Sequence, residues 1–119
     1  MKVKALIDLD TLMPGSVFSD LGDMIRTYAN VHGEESTSFN QIQANEQIIA
    51  EIIQCFCQKI SLSPQEKKNL RFAGKAITLM QCVRFLTDFL MGDIYYKTNS
   101  PFHNLDRAKN QLALFDSMK

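Results

Sequence analysis

Asp8 and Asp10 close the apolar run Ala5-Leu6-Ile7 and stand two residues apart. The segment from Lys2 to Asp10 alternates polar and apolar at its start, which predicts a strand over about 3–9. Side chains two apart on a strand point to the same side, so the two carboxylates would face one ligand. Magnesium is a hard ion that takes oxygen ligands, keeps several waters and is often fixed by one or two carboxylates. The turn signal Met13-Pro14-Gly15-Ser16 follows directly. Asp is also common at exposed strand ends, and on spacing alone that plainer account is the better one.

The remaining reactive side chains are scattered. Asp20 and Asp23 fall in the first turn of a predicted helix, where acids complement the positive end of the dipole. Asp23 and Arg26 are three apart and can pair on the helix surface, so all three residues read as structural. Arg84 lies between Val83 and Phe85, where an unpaired charge is costly; Asp88, four residues on, is the partner that spacing offers. Cys55, Cys57 and Cys82 form no framework and no second half of a metal-ligand set. They read as small buried or half-buried thiols in a reducing cytoplasm. His32 lies in a polar loop, and His103 has no Ser, Cys or second His beside it, so neither reads as a catalyst.

The elements that must position these groups are mostly helical. In 119 residues, 45% are hydrophobic, which suits one packed domain. Thirteen Lys and Arg balance thirteen Asp and Glu, which argues against nucleic-acid or anionic-membrane partners, since both need a basic surplus. The run Ala5-Leu6-Ile7 is too short for a signal peptide core, and no stretch reaches a membrane span, so a soluble cytoplasmic protein is expected. Apolar periodicity predicts helices over about 20–31, 38–61, 63–92 and 104–118. The first is capped by Ser19 or Asp20, and the third starts at the capping box Ser63-Pro64-Gln65-Glu66 and ends near Gly92. The single predicted strand has no partner in this chain, which points to upstream sequence or to pairing between chains.

Three separated stretches, in order, resemble one family. They are Leu6-Ile7-Asp8-Leu9-Asp10 through Asp20-Leu21-Gly22-Asp23-Met24-Ile25-Arg26; Met80 to Leu90 with Gly92-Asp93-Ile94-Tyr95-Tyr96-Lys97; and His103-Asn104-Leu105-Asp106-Arg107. Together they are similar to the aminoglycoside-phosphotransferase-like kinases, most of all to the anomeric kinases of N-acetylhexosamines. The resemblance covers most of the chain, with residues 31 to 62 matching by pattern alone. It implies a helical C-terminal half of a protein-kinase-like large lobe with one N-terminal strand. It implies that Asp8 would hold Mg²⁺ with ATP and lie near the sugar, with Asp10 a weaker candidate. It implies that Asp20 braces the catalytic loop, and that Arg84 and Tyr95 line an amino-sugar pocket. Ser19 and Leu21 depart from the aromatics that relatives often carry in the Asp-Leu-Gly-Asp turn.

A kinase of this class also needs a nucleotide-covering lobe with its phosphate-binding Lys and a loop of the form H-x-D-x-x-x-x-N. Neither occurs in these residues, and the five glycines stand singly. The expectation is a C-terminal portion of such an enzyme, inactive alone. Some relatives carry a mucin-desulfating sulfatase label, but the modifiable Cys or Ser motif and rich metal ligand set that sulfatase chemistry needs are missing from the sequence. The alternative is a non-catalytic helical module that oligomerises, for instance as a homodimer through the N-terminal strand.

Overall fold

The structure is a computed structural model that describes Lys4, Ala5, Ile7, Leu9 and residues 12–119. Asp8 and Asp10 lie outside the described residues, as does much of the strand expected over 3–9. Lys4, Ala5, Ile7 and Leu9 belong to no strand. From residue 12 onward the chain is mostly helical: α1 (Val17–Tyr28), α2 (Glu46–Lys59), α3 (Pro64–Leu90) and α4 (His103–Ser117).

Local chemistry sets the helix ends. Ser16 opens α1, its hydroxyl accepting from the Phe18 N–H; the cap therefore lies three residues before Ser19, and Asp20 falls in the first turn. Ser63 and Glu66 close the capping box of α3 reciprocally, with Pro64 at the first helical position. The stretch read as one helix over 38–61 is broken instead. A single 3₁₀ turn, Phe39–Gln41, leads into extended backbone, and Ala44 bridges to Asn30. Asn45 then caps α2 by accepting from Gln47 and Ile48. The apolar spacing of Phe39 and Ile42 continued the helical pattern, but tertiary bonds won: Asn45 N–H donates to the Ala29 carbonyl at 2.9 Å, and Ala44 N–H to Ser117 Oγ at 2.9 Å.

Twenty-seven residues long, and so about 40 Å, α3 is the spine against which α1 and α4 pack. The approach of α1 is close because Gly22 and Gly74 carry no side chain: a Cβ on Gly22 would stand 2.6 Å from the Ala73 carbonyl oxygen. Leu21, Ile25, Ile49, Leu70 and Leu114 form the main core. A smaller cluster of Cys82, Phe85 and Ala108, with Tyr96 against it, holds the far end of α3 to α4.

Much of the face that α4 buries is polar, although Leu105, Ala108, Leu112 and Phe115 repeat at helical spacing. Asn104, Asn110 and Gln111 are fully buried, whereas Leu112 is exposed. Asn110 donates to the Gly33 and Ser36 carbonyls at 2.9 and 2.8 Å and accepts from Asn30 and Gln111. The Asn110 amide thus satisfies the loop backbone that α4 covers, and Asn104 and Gln111 find side-chain acceptors.

Candidate functional site

At its C-terminal end α3 stops in a Schellman turn. Gly92, with φ +90°, donates to the Phe89 carbonyl at 3.2 Å, and Asp93 to the Asp88 carbonyl at 2.8 Å. Asp93 itself has φ +58°, an uncommon conformation for a non-glycine residue. The chain then folds back over the helix end, and the Asp88 carboxylate holds it there. Its Oδ1 accepts from the Ile94 and Tyr95 N–H groups at 3.0 and 2.8 Å. Its Oδ2 accepts from the Tyr96 N–H and from Asn104 Nδ2, both at 2.9 Å. Asn104 Nδ2 also reaches Asp93 Oδ1 at 2.8 Å, so α4 is tied into the same turn.

Burial pushes the Asp88 carboxyl up, but the four donors outweigh it, and the group titrates below the ordinary Asp value. Every strong acceptor position on it is used. The ion pair with Arg84 that the i, i+4 spacing offered does not form. Arg84 is exposed and turns to the aromatic rings, its guanidinium 5.7 Å from the Tyr95 ring centre and 5.5 Å from that of Tyr96. Its Nη1 reaches Gln81 Oε1 at 3.4 Å, and Gln81 Nε2 donates to the Tyr96 hydroxyl at 3.1 Å. The two tyrosine rings meet edge to face at 4.8 Å, and Tyr96 packs on Phe85.

These side chains enclose a cleft of about 340 Å³ lined by Val83, Arg84, Thr87, Asp88, Met91, Tyr95 and Tyr96. Arg84 and Tyr95, eleven residues apart in sequence, thus share one site, and Tyr96 stands in its wall as well as in the core. Chemically the cleft offers an aromatic face, a guanidinium with donors to spare and a threonine hydroxyl. Asp88 and Asn104, which hold the turn that walls the cleft, are the residues whose part sequence reasoning missed. A signal existed: an acid three residues inside a helix C-terminus opposes the dipole, so Asp88 needed compensating donors from somewhere.

The other sequence candidates lie elsewhere. Asp20 is exposed in the first turn of α1. Arg26 bonds Asp23 at 2.9 Å as the spacing predicts, and also pairs with Glu34 and reaches Gln111, so this group serves the fold. His103 is tied down: Nδ1 accepts from the Asn99 N–H at 3.1 Å, which leaves Nε2 to donate to Glu35. Arg107 pairs with Glu35 as well. Burial pushes the Glu35 carboxyl up, and the bonds from His103 and Arg107 outweigh it and hold it below its ordinary value. Cys82 is buried with its thiol pushed up by burial, whereas Cys55 is exposed, contrary to the reading of all three cysteines as at least half-buried. Among the described residues no three His, Cys, Asp or Glu side chains gather as a metal site, and no helix is long and apolar enough to cross a membrane. No protein-family model matches the chain.

Proposed function

We propose that this chain is the helical C-terminal portion of a sugar-kinase-like phosphotransferase and that the Arg84–Tyr95 cleft is part of its amino-sugar pocket. The observation that carries the reading is the convergence of Arg84 and Tyr95. The resemblance marks them separately, and they face each other across one cleft with donors and an aromatic surface. A pyranose needs that combination: a ring face against its C–H groups, and fixed donors for hydroxyl and acetamido oxygens. In this reading the parent enzyme transfers a phosphoryl group from ATP to the anomeric hydroxyl of an N-acetylhexosamine, with Mg²⁺ held by Asp8. Without a nucleotide lobe and an H-x-D-x-x-x-x-N loop, these residues alone bind and do not catalyse. The three free thiols suit the reducing cytoplasm, where such a parent would work.

The test is a heteronuclear NMR titration of the chain with N-acetylglucosamine and N-acetylgalactosamine. Expected are shifts confined to residues 83–96, and a loss of affinity of about tenfold or more in Tyr95→Ala. Absence of any shift at tens of millimolar of both sugars would overturn the assignment of the cleft.

The non-catalytic helical module is the second reading, favoured by the exposed apolar face of α3.

A further inference from the structure

Both faces of α3 are apolar. One carries Leu70, Ala73, Cys82 and Phe85 into the cores. The other carries Phe72, Leu79, Val83 and Leu90, at steps of seven, four and seven that return to the same side of a helix. These four are 67%, 40%, 54% and 74% exposed. A helix with apolar stripes on two sides is normally covered on both, and this one is covered on one side. Between the open stripe and Phe115 of α4 runs an apolar groove of about 730 Å³, which Ala76 and Met80 also line. Val83 and Arg84 belong to this groove and to the cleft. The open surface therefore follows α3 from Phe72 to Met91, about 30 Å at the helical rise.

The two charged residues that line the groove, Lys75 and Arg84, are both cations and are nine residues apart. Nine residues are two and a half turns, so the two cations flank the stripe on opposite sides. Lys75 donates to the Met118 carbonyl at 3.0 Å, and Arg84 has only Gln81 and the tyrosine rings. The Asp88 carboxylate, which lines the adjoining cleft, has its oxygens filled by four donors.

We propose that this groove is a docking site for an amphipathic α-helix of a partner chain. Its apolar face would lie along α3, and its flanks would carry Asp or Glu opposite Lys75 and Arg84. Helix-in-groove recognition takes anchors at three- and four-residue steps, which is the spacing of the stripe. A second copy fits poorly: antiparallel pairing about Leu79 and Met80 brings Lys75 opposite the copy's Arg84, and like charges across an interface are costly. The proposal does not rest on the sugar-kinase reading.

Two synthetic helical peptides of about 20 residues test it, with the same leucine face but Glu flanks in one and Lys flanks in the other. Fluorescence anisotropy against the full chain should show the Glu peptide binding at least about tenfold more tightly, the scale of a charge-selective interface. Arg84→Glu should erase or reverse that preference, and Leu79→Glu should abolish binding of both peptides. Circular dichroism checks the fold of each variant, and Phe72→Gln at the most open end of the groove gives a second disruption should Leu79→Glu not fold. Equal affinities, or no binding of either peptide, would overturn the proposal. So would a concentration-dependent dimer that Leu79→Glu dissolves, which assigns the groove to a second copy. Co-sedimentation with phosphatidylserine vesicles that Leu79→Glu abolishes would overturn it in favour of a membrane.

Discussion

Asp88 illustrates how one carboxylate can set the wall of a cleft. It accepts three consecutive backbone N–H groups and the Asn104 amide, and so fixes where Tyr95 and Tyr96 stand. Asp88→Asn keeps the shape but turns one acceptor into a donor, which faces either the Ile94 and Tyr95 N–H groups or the Tyr96 N–H and Asn104. Amide exchange at residues 94–96 should then accelerate, while exchange in the main core around Leu21 and Leu114 stays slow. The same carboxylate gives a pH dependence. Its folded pKa lies below the unfolded value, so its contribution is complete above the ordinary Asp pKa of about 4 and is lost as pH falls through the depressed folded value. Glu35 acts with the same sign. Denaturant midpoints should therefore hold from neutrality to about pH 5 and fall below that, with a shallower acid limb in Asp88→Asn. Asn110 tests the other polar network: Asn110→Ala removes the donor to the half-buried Gly33 and Ser36 carbonyls and leaves the buried Asn30 and Gln111 amides without their acceptor, which should cost about 2 kcal/mol in urea unfolding.

The elements were legible where a local rule set them. The capping box at Ser63, the turn at Gly92 and the Asp23–Arg26 pair all follow from spacing. The start of α2 did not, because Asn45 is placed by bonds to Ala29 and, through Ala44, to Ser117, which no local window contains. The cleft was half legible. Arg84 and Tyr95 were named by resemblance, but the spacing around Arg84 pointed to Asp88 as an ion-pair partner, and only the folded turn shows that carboxylate turned inward. Met80, Val83 and Leu90 continue the apolar periodicity of α3 yet are on its open side; periodicity finds apolar stripes but not which of two is covered. The α1–α3 contact offers a sharp test. In an open helix Gly→Ala stabilises by about 1 kcal/mol. At Gly22 the added methyl meets the Ala73 carbonyl oxygen at 2.6 Å and Ile77 Cγ1 at 2.4 Å. The backbone oxygen cannot rotate away, so overpacking of about 1–3 kcal/mol wins, and Gly22→Ala should lower the urea midpoint.

For the whole molecule, the one-sided cover of α3 sets the main expectation. The radius of gyration is 15.4 Å, above the roughly 13.5 Å typical of a closed domain of this length. Apolar residues along α3 that would complete a second layer face outward. A hydrophobic dye should therefore bind the native chain at neutral pH, before any unfolding transition. Phe72→Gln with Val83→Gln should remove most of that signal. Because both side chains are more than half exposed, each change should alter stability by no more than about 0.5 kcal/mol. Dye binding and stability together discriminate. If the signal falls and the urea midpoint holds, the stripe is surface that the fold itself does not need, free to receive a partner helix. If the midpoint drops by the amount expected for a core truncation, about 2–5 kcal/mol, the stripe belongs to the stability of this chain, and the groove is no spare surface.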